Sequence, residues 1–280
     1  MTRYYSRLFM LGALLIAALG LPFSASAADS YYLSLGDSLA AGYQPDPKVS
    51  FDQGYADQLF TALHAKNPSL RLKKLGCYSE SGETTDTMIN GGAGCPYGHH
   101  KSQLDAAVAF LHTHNVALIT IDIGGNDVDD CNSDPGCIQN ALTTTIPTNL
   151  SAILSKLRAA AGKDVPIVGM NYYDPYLAYY YIILNDPASA KAALPVFDQF
   201  NDTLERIYKA HRSSVANVEG AFSTLDFKTW VLLLPHERVP LDVARICQWT
   251  WMCSSNHPGD IHANEEGYDV ITRAFLKALP

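Results

Sequence analysis

Two kinds of segment alternate along this chain. Short apolar runs end at glycine or at polar clusters, and longer segments carry apolar residues every three or four positions. Residues 31–35 form the first apolar run and break at Gly36. Tyr55, Leu59, Phe60 and Leu63 then recur at helical spacing over 54–67, and Pro68 closes that segment. A second strand is expected at 70–75. A second helix is expected over 101–114, with Leu104, Val108 and Leu111 on one face. Residues 116–123 form the strongest strand signal, continuous and rich in β-branched residues, as in a strand buried on both faces. A helix over 142–161, interrupted at Pro147, leads to a fourth strand at 166–170. A helix over 195–211 and a short fifth strand at 216–219 follow. Residues 222–258 read as irregular. Residues 264–279 close the chain as a helix with Tyr268, Ile271, Phe275 and Leu276 facing inward.

Strands that alternate with helices need right-handed crossovers. The expected fold is therefore α/β: a three-layer α/β/α sandwich around a mostly parallel sheet of about five strands. In such sheets functional groups gather beyond the carboxyl ends of the strands. Ser38, Gly82 and Asn126 follow the first three strands, which predicts that all three share one sheet edge.

Composition adds a compartment. Arg3 and Arg7 precede an apolar run over 8–21, and Ala25-Ser26-Ala27 supplies a small-residue cleavage pattern. Residues 1–27 read as a secretory signal peptide cut near Ala27, leaving one domain over 28–280. A membrane anchor fits less well, because the run is short and ends in Pro22. Without Arg3 and Arg7 the formal charge falls from −8 to −10, since that segment holds no acidic residue. Such an acidic chain with no basic stripe is not a nucleic-acid binder.

Six cysteines in an exported chain point to disulfides rather than to metal or redox chemistry. They fall in three local pairs, Cys77 with Cys95, Cys131 with Cys137, and Cys247 with Cys253. Fifteen connectivities are open to six cysteines, and sequential pairing is the simplest. A monomer without a stable membrane anchor is expected.

Gly-Asp-Ser at a strand-to-helix turn can be a capped turn and nothing more. Acyl transfer, however, needs a nucleophile, a base and donors for the oxyanion, and no metal or cofactor. Ser38 can attack. The N–H groups of Ser38 and Gly82 and the Asn126 carboxamide can hold the oxyanion, and one of nine histidines must be the base. Gly36-Asp37-Ser38-Leu39 resembles the first block of the SGNH, or GDSL, hydrolase family. Ser81-Gly82-Glu83-Thr84-Thr85 resembles its glycine block, Gly124-Gly125-Asn126-Asp127 its Gly-x-Asn-Asp block, and Asp260-Ile261-His262-Ala263-Asn264 its histidine block. The blocks stand in the family's order and span nearly the whole mature chain. The resemblance implies a flavodoxin-like fold, Ser38 as nucleophile, Gly82 and Asn126 as oxyanion donors, and His262 as general base. The three cysteine pairs also resemble those of secreted members.

One departure stands out. The resemblance places an Asp three residues before the histidine, where this chain has Gly259, and Asp260 follows one residue later. Either the Asp260 carboxylate or a backbone carbonyl near Gly259 then orients the imidazole. His257 is a weaker rival base, before Pro258. His99 with His100 and His112 with His114 read as solvated surface rather than metal ligands. Asp37, Asp122 and Asp127 read as structural. The tyrosines over 172–181 and Trp230, Trp249 and Trp251 can line a groove or pack loops, with Trp249 and Trp251 the better groove candidates. The expected activity is a secreted serine esterase or lipase acting on a small or lipid ester. A polysaccharide acetyl esterase or a phospholipase would use the same machinery. A secreted binding protein without turnover is the reading from another class.

Overall fold

A computed structural model describes residues 29–234 and 237–280; the signal-peptide reading falls outside the described residues. The chain opens with β1 (Ser30–Gly36), α1 (Ser38–Ala41), α2 (Tyr55–His64) and β2 (Leu70–Lys74). Next come α3 (Thr85–Asn90), α4 (Gln103–Thr113), β3 (Val116–Asp122), α5 (Gly125–Asp129) and α6 (Pro135–Asn140). A central stretch holds α7 (Ile146–Ala161), β4 (Ile167–Met170), α8 (Tyr176–Ala178), α9 (Pro187–Ala210), β5 (Ser214–Ala216) and α10 (Val218–Phe222). The chain ends with β6 (Trp230–Leu234), β7 (Glu237–Pro240), α11 (Leu241–Trp249) and α12 (Glu265–Ala278).

Strands β1 to β5 form one parallel sheet in the order β2-β1-β3-β4-β5, with helices on both faces. This is the flavodoxin-like order, and its reversal between β1 and β3 opens a crevice at the carboxyl edge. Tyr32, Leu33 and Leu35 of β1, with Ile119 and Ile121 of β3, are buried at the centre of the core. Their neighbours include Leu150, Ile153, Leu154 and Leu157, which recur at helical spacing on α7 and cover one face. Tyr55 and Leu59 of α2, with Tyr268, Ile271 and Phe275 of α12, belong to the same core. Among the described residues no helix is long and apolar enough to cross a membrane.

Several local expectations change. The last strand of the sheet is Ser214–Ala216, and Val218 instead begins a helix capped by the Asn217 side chain, which accepts from the Gly220 N–H. Pro147 lies where helical backbone continues from α6 into α7, so the interruption there is a widened turn and not a break. A π turn over Ala141–Thr145 joins α6 to α7. Helix α9 begins at Pro187 and runs through Pro195, which is exposed on the water side. Residues 222–258 are not irregular: they contain the antiparallel hairpin β6–β7 and helix α11. Leu276 is exposed rather than inward.

Gly169 in β4 lies directly beneath the Tyr208 ring of α9. A Cβ there would stand 2.2 Å from the ring carbons. Gly169→Ala is expected to cost about 1–3 kcal/mol of stability by overpacking. A thermal melt should show a Tm lower by several degrees, and an unchanged Tm would contradict the close approach.

Candidate active site

Parallel pairing of β1 with β3 matches Gly36 to Asp122 at the carboxyl ends of both strands. Gly36 has φ +139°, and a Cβ on it would stand 2.2 Å from the Asp122 carbonyl oxygen. Only glycine fits this exit. The buried Gln103 side chain of α4 fixes it further, accepting from the Gly36 N–H at 2.7 Å and donating to the Gly36 carbonyl at 2.9 Å. The chain then turns into α1, whose N-cap is Asp37; its Oδ1 accepts from the Leu39 N–H at 2.9 Å. Asp122 Oδ2 accepts from the Ala40 N–H at 3.2 Å. Two buried carboxyls thus hold the turn that presents Ser38, whose own N–H, at the first helical position, has no acceptor within the helix.

Asp37 and Asp122 also face each other within hydrogen-bonding reach. Burial first, and the facing Asp37 charge second, push the Asp122 carboxyl well above its ordinary value. A protonated Asp122 can then donate to Asp37. Tyr172 donates to Asp37 Oδ2 at 3.0 Å, and the Tyr55 hydroxyl donates to Asp122 Oδ1.

His262 comes from the loop between α11 and α12. That loop is tied down by the Thr250–Ala263 antiparallel bridge and by the Trp251 N–H, which donates to the His262 carbonyl at 3.0 Å. Imidazole Nε2 lies 2.9 Å from Ser38 Oγ, and Nδ1 lies 2.9 Å from Asp260 Oδ1. The same Asp260 oxygen accepts from the His262 backbone N–H at 2.9 Å. A carboxylate can only accept, so Nδ1–H donates to it and Nε2 remains free to accept the Ser38 hydroxyl proton. The one-residue offset at Gly259 is absorbed by a loop with Gly259 at φ +84°. The group hydrogen-bonded to Nδ1 is thus the Asp260 carboxylate and not a backbone carbonyl. Tyr43 packs edge-on against the imidazole at 4.4 Å between ring centres, and Tyr78 stacks on Tyr43.

Asn126 lies in the first turn of α5 and donates from Nδ2 to the Glu83 carbonyl at 2.9 Å. The second Nδ2 proton is the one available to a substrate. Gly82 is different. Its N–H, expected as an oxyanion donor, instead donates to the Ser79 carbonyl at 3.0 Å and closes a turn. Gly82 has φ +67°, and a Cβ would meet the Asn126 carboxamide at 2.6 Å. In this structure the glycine makes room for the Asn126 amide. The donors left for an oxyanion are the Ser38 N–H and Asn126 Nδ2. Asp127, beside Asn126, accepts from the Thr85 N–H at 2.8 Å and from the Thr85 hydroxyl. Burial pushes its carboxyl up to about 6.

The structure joins Cys77 to Cys95, Cys131 to Cys137 and Cys247 to Cys253. Beside Ser38 and His262 opens a cavity of about 510 Å³. Tyr172, Tyr173, Tyr176 and Tyr179 line it together with Val128 of α5 and Phe197 and Phe200 of α9. The Tyr176 hydroxyl donates to Asp129. The wall from α5 and α9 was not foreseen, although Phe197 and Phe200 stand three apart on one helix face. The tryptophans are elsewhere. Trp249 packs between Phe222 and Arg245, and the Trp251 indole donates to Gln44 at 2.6 Å. Neither lines the cavity, because their rings serve the loops around His262. His257 packs on Trp251, His114 stacks on Phe110, and His99 lies against His100.

A hydroxyl, an imidazole and an open-mouthed cavity at the edge of this sheet are the parts of an ester hydrolase. Comparison with known families agrees. Residues 34–270 match the model of the GDSL-like lipase/acylhydrolase family, and the chain belongs to that family of carboxylic ester hydrolases. Among solved structures, the chain is similar to a putative GDSL-like lipase from Parabacteroides merdae, with 15% identity and a TM-score of 0.58 over 90% of this chain and 95% of that one. It is also similar to Axe2, an acetylxylan esterase from Geobacillus stearothermophilus, with 16% identity and a TM-score of 0.56 over 90% and 94%. At these identities the likeness is one of fold. No functionally curated protein matches the chain in sequence.

Two substitutions test this geometry. Asp260→Asn removes the charge beside Nδ1 and should lower kcat by about 10²–10⁴ with an unchanged Tm; a loss below tenfold would assign the orienting role elsewhere. Gly82→Ala should displace the Asn126 amide and lower kcat by about 10²–10³, comparable to Asn126→Ala. Full activity in Gly82→Ala would show that the amide is not so confined.

Proposed function

We propose that the protein is a secreted serine esterase or lipase working through an acyl-enzyme on Ser38. The observation that carries this reading is the continuous hydrogen-bonded chain from Ser38 Oγ through His262 to Asp260, with both links at 2.9 Å. As Ser38 Oγ attacks the ester carbon, its proton passes to His262 Nε2. The Asp260 carboxylate stabilises the imidazolium through Nδ1–H. The Ser38 N–H and Asn126 Nδ2 donate to the oxyanion of the tetrahedral intermediate. His262 then returns the proton to the leaving alcohol oxygen. Water then attacks the acyl carbon and gives a proton to His262, which passes it to the departing Ser38 Oγ as the acid is released.

The cavity supports an acyl chain longer than acetyl. Its volume lies in the range of sites for whole small-molecule ligands, and Val128, Ile138, Phe197 and Phe200 offer an apolar wall. A polysaccharide acetyl esterase is the second reading, favoured by the tyrosine rings of the lining, which suit a sugar as well as an apolar chain. Three disulfides favour an oxidising compartment and so support export.

A panel of aryl esters of rising acyl length separates these readings. Activity that peaks at medium or long chains supports a lipase-type substrate, and a peak at acetyl supports the second reading. Ser38→Ala should abolish turnover on every ester, and surviving activity would sink the mechanism.

A further inference from the structure

Nine large apolar side chains are exposed among the described residues, and six of them, Ile183, Leu184, Val196, Leu225, Trp230 and Leu232, fall between 183 and 232. They are not scattered with respect to the cavity. Val196 lines it while remaining 42% exposed. Ile183 and Leu184 end the π turn whose Tyr179 and Tyr180 line it. The segment that leads into the hairpin β6–β7 packs on the same turn, with 6.0 Å between the Phe227 and Tyr181 ring centres. The hairpin also packs on α11, and α11 packs on α8, which carries Tyr176 of the cavity wall.

Along β6 the side chains alternate. Val231 and Leu233 pack against the core, whereas Trp230 is 46% and Leu232 69% exposed. A tryptophan and a leucine side by side on the outer face of a two-stranded hairpin are costly in water at about 25 cal/mol per Å². Indole and aliphatic side chains together are the types that settle at a lipid–water boundary. Charge narrows the partner. Residues 227–240 hold Lys228 and Arg238 against Glu237 and are close to neutral, while the whole chain carries −8. Such a segment can approach a neutral or zwitterionic surface without the repulsion an anionic one would meet.

We propose that the outer face of the β6–β7 hairpin, together with exposed Ile183 and Leu184 and with Val196 at the cavity rim, docks the protein onto the surface of aggregated, uncharged or zwitterionic lipid. The proposal rests on the ester-hydrolase reading, because its use is to deliver an acyl chain from the aggregate into the cavity. A chain leaving the lipid beside Val196 would pass from one apolar environment to another without crossing bulk water.

The test uses the full chain carrying Ser38→Ala, so that vesicles are not consumed, mixed with phosphatidylcholine vesicles and sedimented. This protein should co-sediment, and adding Trp230→Ser with Leu232→Ser should weaken its apparent affinity by about tenfold or more. Leu232→Ser alone should act in the same direction, which keeps the test valid should the double variant lose its melting transition. Equal binding with and without the substitutions, or no binding by either protein, overturns the proposal. So does a dimer in sedimentation equilibrium that the double substitution dissociates, because a second copy then covers the face. Hydrolysis of a water-soluble aryl ester, measured with Ser38 intact, distinguishes the two levels. Absence of that hydrolysis defeats the esterase reading, whereas hydrolysis without vesicle binding defeats only the docking surface.

Discussion

Everything at the site depends on how closely β1 and β3 approach at their carboxyl ends. The Gly36–Asp122 pairing leaves no volume for a Cβ, and the Asp122 carboxyl occupies the space a side chain would need. Because the strands are parallel and adjacent, the segments leaving them begin side by side. One carries Ser38 and the other Asn126. Without that register the serine hydroxyl and the Asn126 amide would have no fixed relation, however suitable each residue is. Gln103 reaches in from α4 to clamp Gly36 on both its backbone groups, so the helical layer also holds the turn.

The disulfides act one layer further out. Cys77–Cys95 restrains the loop whose Tyr78 stacks on Tyr43, and Tyr43 in turn packs on the His262 ring. Cys131–Cys137 joins the segment just after α5 to α6 and so steadies the helix of Asn126. Cys247–Cys253 closes the bend from α11 to the strand-like residues that pair with His262 and Ala263. Two bridges therefore support His262 from opposite ends of the chain, and the third supports Asn126. Loops in that position otherwise carry few buried contacts and open easily.

The centre of the sheet was legible because β1, β3 and β4 are largely buried on both faces and so are mostly apolar, as in residues 116–123. The serine, asparagine and histidine were legible because each stands at a break between periodic segments. The hairpin was not, since residues 230–234 form an apolar run that strand and helix share, and Pro235 hides the pairing. Nor was the full extent of α9: Pro195 reads as a start, but on an exposed face the carbonyl it leaves unpaired can be hydrated. The Gly82 N–H bond to Ser79 depends on a loop closure that composition does not encode. The cavity wall draws Val128 and Phe200 from helices far apart in the chain, and only tertiary packing brings them together.

The buried carboxyls have a consequence for the energetics of folding. Besides Asp122, burial pushes Asp174 and Asp242 each up to about 7. The formal charge of −8 counts all three as ionised, so the native chain is less anionic at neutral pH than its sequence states. In the unfolded chain these groups return to an ordinary carboxylate value of about 3.9 and give up their protons. Folding at neutral pH thus takes up protons from the solvent. For Asp174 and Asp242 this contribution to stability is complete below the unfolded value and is lost as pH rises through about 7. The enthalpy of folding measured in a calorimeter accordingly includes the heat of ionisation of the buffer that supplies those protons.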